Sequence, residues 1–377
     1  MSFKDLQKSI TKEFGEEVII KELESVPILN SFGSLAVDCA VGLGGIPKGR
    51  IIEFYGNPSG GKTALAIIAI IECQKNNKPC VFIDLENSFD PSWFRKLGGS
   101  IDENLFLLLH PKSGADAYEM IDRCVQERST GLVVIDSVSA MATDSELESN
   151  YADQTMAQLA RLMSSGLKKI NNQMLRNPGA TLLFINQVRA TMDKYHPETT
   201  SGGNALGFYA SIRLNIRRVG GKDGIIGDPD RPSGFKTRIT VVKNKVGIPK
   251  QTIETNLYIG TTGKFGIDKN EEVLDVAKSL GLIKRLAKNK DTNELVINPD
   301  GSYYQIDGYE PIYGQSKFEL FIAEKPEIKD QLLKQINIFT KKNNEPESDS
   351  FAAEVKEEEK KQRKSRKNKD EEIKSNS

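Results

Sequence analysis

Gly56-Asn57-Pro58-Ser59-Gly60-Gly61-Lys62-Thr63 fills every fixed position of the G-x-x-x-x-G-K-[ST] phosphate-loop pattern. The apolar run Arg50-Ile51-Ile52-Glu53-Phe54-Tyr55 precedes it, and an Ala/Ile-rich helical stretch, Ala64 to Cys73, comes after. A phosphate loop needs this strand–loop–helix context. Glycines let the backbone curl so that successive N–H groups point at phosphate oxygens, and the next helix adds its N-terminal dipole. Lys62 is placed to reach the β- and γ-phosphates and the Thr63 hydroxyl to hold Mg²⁺. The plainer reading is a Gly-rich turn without a ligand. Lys-Thr at the helix start argues against it.

The chain around this loop has 377 residues, enough for a main domain with appendages. Hydrophobic residues make up 38% and charged residues 28%, the balance of a soluble globular protein with a polar supplement. The longest apolar run, Ala64 to Ile71, is far short of the ~20 residues of a membrane span. Met1-Ser2-Phe3-Lys4-Asp5 lacks the apolar core of a signal peptide, so a cytoplasmic location is expected. Cys39, Cys73, Cys80 and Cys124 show no C-x-x-C spacing and read as buried thiols. His110 and His196 form no zinc-ligand cluster, so metal would arrive with the nucleotide. Lysine plus arginine equals aspartate plus glutamate, 52 each, so a nucleic-acid partner would need a local basic surface.

Residues 1–30 read as a charged helical segment, Leu6 to Phe14, followed by Val18-Ile19-Ile20 and a loop. It is too short to bury its own apolar face. From Ser31 strands and helices alternate. Candidate strands are Ile51–Tyr55, Cys80–Leu85, Leu105–Leu109, Gly131–Asp136, Thr181–Gln187, Ile212–Arg217 and Thr237–Lys243, with helices at Ala64–Asn76, Ala115–Glu127 and Ala157–Leu175. Near-continuous apolar strands between helices predict an α/β core with a mainly parallel sheet covered on both faces. The last strands, with little helix between them, predict an antiparallel edge. Residues 31–262 are assigned to this core and 263–340 to a small α+β domain. That domain holds helices at Glu271–Ser279, Ser316–Ala323 and Pro326–Ile338, and a hairpin at Glu294–Gln305 turning at Asn298-Pro299-Asp300-Gly301. Residues 341–377 are too polar and charged to bury a core, and disorder is expected there.

Leu132-Val133-Val134-Ile135-Asp136 is an apolar strand ending in a carboxylate, the partner a nucleotide loop needs for its metal. Many strands end in Asp for capping reasons, so the phosphate loop gives this reading its weight. Glu86 comes just after strand Cys80–Leu85 on the ligand-bearing edge of a parallel sheet and is the candidate to activate water. Its plain alternative is a solvated loop carboxylate. Asn186-Gln187 ends a third strand on that edge, and an amide there can sense a γ-phosphate. The long polar loop Val188–Asn204 carries Arg189, Lys194, Tyr195, His196 and Gly202-Gly203, a composition suited to a single-stranded nucleic-acid backbone or to an ordinary surface loop. Lys243 and Lys245 lie on one face of a strand end, where two cations invite a phosphate.

Further stretches accompany these. They are Leu43-Gly44-Gly45-Ile46-Pro47-Lys48-Gly49-Arg50-Ile51, Phe82-Ile83-Asp84 with Asp90-Pro91, and Arg95-Lys96-Leu97-Gly98. Then come Val134-Ile135-Asp136-Ser137-Val138, Phe184-Ile185-Asn186-Gln187-Val188-Arg189 and Pro197-Glu198-Thr199-Thr200-Ser201-Gly202-Gly203-Asn204-Ala205-Leu206. Phe208-Tyr209-Ala210-Ser211-Ile212-Arg213-Leu214 and Val241-Val242-Lys243-Asn244-Lys245 complete the set. In that order, over roughly residues 5–340, the chain resembles the bacterial RecA recombinase family, phage-encoded members included.

The resemblance implies a RecA-type core and a DNA-dependent ATPase. Such a protein forms ATP-bound helical filaments on single-stranded DNA and exchanges strands with double-stranded DNA in recombination, repair and the SOS response to DNA damage. Its cofactors would be ATP and Mg²⁺. Gly56, Asn57, Pro58, Ser59, Gly60, Gly61, Lys62 and Thr63 would hold the phosphates, with Thr63 and Asp136 at the metal. Trp93 and Asp90 would lie at the adenine. Glu86 would activate water, Gln187 would couple the γ-phosphate to DNA, and Lys243 and Lys245 would reach a neighbour's ATP. Two DNA loops would be about Glu148–Met156 and Arg189–Asn204, with Arg161, Arg189, Lys194, Tyr195, Gly202, Gly203 and Asn204 as DNA-binding residues. Phe208 and Arg213 would sit in the subunit interface, and the N-terminal segment would dock on the adjacent protomer. A self-cleaving repressor is a further candidate partner, and no membrane is involved.

Three departures stand out. The family's usual Glu-Ser-Ser is Pro58-Ser59-Gly60 here, and Pro58 has no N–H to donate. The second DNA loop is about two residues shorter than in well-known members, with Tyr195 near its tip. The tail carries a basic cluster, Lys360 to Lys369, where many members are acidic. Two other readings compete: a RecA-like ATP- and DNA-binding regulator without strand exchange, and a hexameric RecA-core motor. The motor is disfavoured by Pro197–Arg213 and the terminal domain.

Overall fold

The computed structural model describes residues 2–16, 26–143, 146, 156–177, 179–191, 198–289 and 291–342. Val18–Ile20, most of the first candidate DNA loop, Lys194, Tyr195 and the charged tail from residue 343 on lie outside them; Lys341 and Lys342 end the helix Pro326–Lys342. The chain divides into two compact units. One comprises residues 1–31, 46–58 and 65–213, the other 32–45, 59–64 and 214–377.

In the first unit the Phe3–Phe14 helix opens on a capping box, with Ser2 Oγ accepting from Asp5 N–H and the Asp5 carboxylate from Ser2 N–H. The helix buries none of its residues, and Phe3 and Phe14 are exposed. Next in the chain is a two-stranded antiparallel ribbon, β1 (Ile28–Asn30) with β2 (Ile46–Pro47). The centre of the unit is a parallel sheet of β3 (Ile51–Gly56), β4 (Cys80–Asp84), β5 (Phe106–Leu109), β6 (Leu132–Asp136) and β7 (Thr181–Ala190), in the order β3-β7-β6-β4-β5. Alternate residues face opposite sides of a strand. Ile51, Val81, Val133 and Leu182 pack with Ala117, Ile121 and Val125 of the Gly114–Gln126 helix and Met163, Leu167 and Ile170 of the Met156–Arg176 helix. Their neighbours Ile52, Phe82, Val134 and Leu183 are equally buried, so the sheet is covered on both faces, as its unbroken apolar strands require.

β7 does not end at Gln187. It runs to Ala190 and pairs antiparallel with β8 (Glu198–Thr200), in the register Val188↔Thr200, Arg189↔Thr199, Ala190↔Glu198. The roots of the expected loop Val188–Asn204 are therefore a short ribbon. Alternating polar residues hid it, because neither face of that ribbon is a core face.

In the second unit the strands are β9 (Ile212–Arg218, which enters it at Leu214), β10 (Ile225–Asp228), β11 (Arg231–Asn244), β12 (Thr252–Ile259) and β13 (Phe265–Gly266). They are ordered β9-β11-β12-β13, with β10 also on β11. The β10–β11, β11–β12 and β12–β13 pairs are antiparallel, the edge that the short connections predicted. A separate four-stranded antiparallel sheet has the order β15-β14-β16-β17, with β14 (Ile283–Lys288), β15 (Leu295–Ile297), β16 (Tyr303–Ile306) and β17 (Ile312–Tyr313). The expected hairpin at 294–305 is corrected here. β15 and β16 do not pair with each other but flank β14 on either side. The basic residues of Ile283-Lys284-Arg285-Leu286-Ala287-Lys288 hid this strand, although Ile283 and Leu286 are buried. Val273, Ala277, Ile283, Tyr304, Ile306, Phe318, Ile322, Ile328, Leu332 and Ile336 share its core. The small α+β part with its own sheet is as expected.

The cysteines are thiols, but only Cys73 and Cys80 are buried; Cys39 and Cys124 are half-buried. Burial pushes the Cys124 thiol up to about 11. No helix among the described residues is long and apolar enough to cross a membrane.

Candidate active site

β3 ends at Gly56 and the next helix starts at Lys62, so the octapeptide is the link between them. Asn57, Pro58 and Ser59 are exposed, Gly60 is buried, and Ser59 adopts a left-handed φ of 57°. The Thr237 hydroxyl donates to the Gly60 carbonyl at 3.4 Å. Gly61 has φ 97°, and a Cβ there would stand 2.5 Å from Leu257 Cδ1, so both backbone and space call for glycine. Lys62 is only 7% exposed at the helix start, with Thr63 half-buried after it. A lysine, a hydroxyl and helix N–H groups around a curled backbone are the donor set a magnesium-bound triphosphate requires.

The carboxyl ends of the parallel strands hold the other candidates. Asp84, 3% exposed, accepts from the backbone N–H groups of Glu86 at 3.2 Å, Ser88 at 3.0 Å and Phe89 at 3.0 Å. It thereby shapes the turn that presents Glu86 to solvent. Glu86 Oε1 accepts from the Gln187 side-chain amide at 3.0 Å and from the Ser137 hydroxyl. Ser137 and Ser139 hydroxyls lie 2.6 Å apart. Asp136 closes β6, 2% exposed, joined to Ser137 by a cis peptide bond. Sequence reasoning brought out Glu86, Asp136 and Gln187, but missed Ser137 as a partner of Glu86. A serine after a strand-ending aspartate carries no periodic signal.

Beside Gln187, Asn186 is fully buried and donates to Glu53 Oε1 at 3.0 Å and to the Ser201 carbonyl at 3.1 Å. Arg213 Nε donates to Glu53 Oε2 at 2.5 Å, and its guanidinium lies 4.7 Å from the Tyr55 ring. Glu53 is fully buried, so removing one partner of this pair would cost on the order of 3–5 kcal/mol. Glu53 was not singled out, although a carboxylate within Ile51-Ile52-Glu53-Phe54-Tyr55 was a readable signal.

The remaining candidates are dispersed. Trp93 is half-buried in the Pro91–Lys96 helix, and Asp90 is its N-cap, accepting from Ser92 N–H at 2.7 Å. Arg161 is exposed on the Met156–Arg176 helix, and Arg189 is exposed on the β7–β8 ribbon. Gly202 and Gly203 have φ of 79° and 73°, and a Cβ on Gly202 would come within 2.9 Å of Met163 Cγ. Asn204 precedes the Ala205–Tyr209 helix, on which Phe208 is 72% exposed. Lys243 is half-buried near the end of β11, and Lys245 is exposed just beyond it. Lys194 and Tyr195 fall outside the described residues.

A parallel α/β sheet with a phosphate loop after one strand and carboxylates at the ends of others defines a phosphate-loop nucleotide-binding protein. Residues 2–264 match the family model of the RecA N-terminal domain. Protein RecA of Pseudomonas putida is 36% identical over 333 residues, 87% of this chain and 86% of that protein. Protein RecA of Desulforapulum autotrophicum is 36% identical over 329 residues, 86% of this chain and 87% of its own length. The chain belongs to the RecA family, and with it to the DNA-dependent ATPases and recombinases of DNA repair.

Proposed function

We propose that the chain hydrolyses ATP with Glu86 activating the attacking water and Gln187 reporting the γ-phosphate to a DNA-binding loop. The observation that carries this reading is the 3.0 Å bond from the Gln187 amide to Glu86 Oε1. Gly56–Thr63 bind the phosphates, and Thr63 and Asp136 hold the metal. Trp93 and Asp90 flank the base. Bound Mg–ATP supplies the transferable phosphoryl group and the metal's charge. The Gln187 amide rests on the oxygen that Glu86 would offer to water. When the amide turns to a phosphate, that oxygen is released, so sensing and base release are one motion.

Lys243 and Lys245 of a second copy complete the charge around the γ-phosphate, which ties hydrolysis to assembly of a helical filament. Phe208 and Arg213 belong to that subunit interface, and the N-terminal segment, residues 1–30, docks on the adjacent protomer. Exposed Phe3 and Phe14 support this role. Residues 31–262 form the ATPase core, 263–340 the terminal domain and 341–377 the tail. Arg161, Arg189, Lys194, Tyr195, Gly202, Gly203 and Asn204 contact single-stranded DNA, onto which double-stranded DNA is paired. The setting is the cytoplasm, with a self-cleaving repressor as a further partner of the filament.

Phosphate release with and without single-stranded DNA, alongside electron microscopy with a non-hydrolysable ATP analogue, tests the reading. DNA-stimulated turnover and extended filaments are expected. Closed rings, or turnover indifferent to DNA, would overturn it.

A further inference from the structure

We propose that Glu53 is the positioning residue that holds Gln187 and the root of the second DNA loop as one unit. This rests on the roles proposed above for Gln187 and that loop. The two oxygens of one fully buried carboxylate serve two different segments: Oε1 takes the Asn186 amide at 3.0 Å and Oε2 takes Arg213 Nε at 2.5 Å. Asn186 passes the constraint on in two directions. Its Oδ1 accepts from Gln187 N–H at 2.9 Å, and its Nδ2 donates to the Ser201 carbonyl at 3.1 Å. Ser201 N–H in turn donates to the Gln187 carbonyl at 3.2 Å. The Gln187 peptide groups are thus clamped between Asn186 and the loop root.

Arg213 extends the same anchor to the segment that carries Phe208. A Cβ on Gly207 would lie 3.2 Å from an Arg213 guanidinium nitrogen, so this short helix packs directly on the arginine. Only a carboxylate offers acceptors to both Asn186 and Arg213, since an amide would turn a donor against one of them. A buried ion pair is a poor source of stability compared with well-packed apolar residues, so a geometric use explains its position better. Ser201 Oγ is buried without a hydrogen-bond partner, the only such side-chain atom among the described residues.

The test is Glu53→Gln in the full chain. Affinity for a fluorescent ATP analogue and KM for ATP should stay within about twofold, while the ratio of hydrolysis with single-stranded DNA to hydrolysis without it falls by about tenfold or more, the scale of a coupling between sites. The double variant Glu53→Gln/Arg213→Met removes the half-buried cation that the single change deprives of its carboxylate. It should regain thermal stability but not DNA stimulation. If it regains both, Glu53 only balances charge and the proposal falls. Should either variant fail to fold, Asn186→Ser decides, because it breaks the link from Glu53 to Gln187 and leaves the Glu53–Arg213 pair in place. A severalfold loss of stimulation supports the proposal, and full stimulation overturns it. A wild-type chain without DNA stimulation defeats the parent reading. A stimulated wild type with an equally stimulated Glu53→Gln defeats this inference alone.

Discussion

The Gln187 amide reaches Glu86 across an intervening strand. The two residues lie 101 positions apart, Gln187 where the parallel pairing of β7 ends and Glu86 just past β4, and β6 runs between those strands. Ser137, immediately after β6, donates to the same carboxylate oxygen. Side chains from three neighbouring strands therefore converge on one acceptor oxygen: an amide and a hydroxyl donate to a single carboxylate.

Glu86→Gln preserves shape but replaces the acceptor-only carboxylate with an amide. Phosphate release should fall by about a hundredfold or more, the usual scale for a lost general base, with nucleotide and DNA affinity retained. Steady-state turnover measured beside equilibrium titrations decides the point. Wild-type turnover in this variant would refute the role assigned to Glu86.

Ser137→Ala removes one of the two hydrogen bonds to Glu86 Oε1 without touching the phosphate loop. A bond worth about 1 kcal/mol corresponds to roughly a fivefold drop in kcat, with KM for ATP unchanged. A rise in KM at constant kcat would instead place Ser137 among the nucleotide contacts.

Gly61→Ala meets two obstacles, a φ of 97° and Leu257 Cδ1 at 2.5 Å. The leucine methyl can swing aside; the backbone cannot. The residual strain is about 1–2 kcal/mol, so ATP affinity by calorimetry should weaken about tenfold. Adding Leu257→Ala should recover little of it. Full recovery would mean that contact, not conformation, excludes a side chain at this position.

Asp268 caps the Lys269–Ser279 helix, accepting from the N–H groups of Asn270 at 3.0 Å and Glu271 at 3.2 Å, with Lys264 Nζ at 2.6 Å. Burial pushes its carboxyl up, but the Lys264 ammonium and those N–H groups outweigh this and hold it below its ordinary value of 3.8. A carboxyl whose pKa is lower folded than unfolded stabilises fully above the unfolded value. It loses that contribution as pH falls through the folded one. Asp268→Ala should therefore lower stability by about 1 kcal/mol at neutral pH. The gap from wild type should close in strongly acidic solution. A gap independent of pH in thermal melts would rule out the charge as its source.

Much of the first unit was legible because its signals are local. Ile51–Tyr55 and Leu132–Asp136 are unbroken apolar runs, and each turned out to be a strand of the buried parallel sheet. Where burial is partial the signal faded. β8 has no buried residue, and Lys284, Arg285 and Lys288 masked β14. The expected turn at Asn298-Pro299-Asp300-Gly301 is a real change of direction, since Gly301 N–H donates to the Asn298 carbonyl at 2.9 Å. It does not join paired strands, because a strand pairs with the neighbour that packs alongside it, and adjacency along the chain does not decide which neighbour that is.

By itself the amino-acid sequence determined the phosphate-loop pattern, the alternation of strands and helices, and the placing of Asp136 at the end of one strand and Glu86 just past another. Each depends on spacing within a short window, where backbone geometry and burial period act directly. Only the tertiary structure decided that Gln187 and Ser137 share one oxygen of Glu86, and that Glu53 ties Asn186 to Arg213. Those contacts arise from strand order, which sets residues 51 to 160 positions apart side by side. Strand order is settled by the packing of whole faces, and no single stretch of the chain carries it.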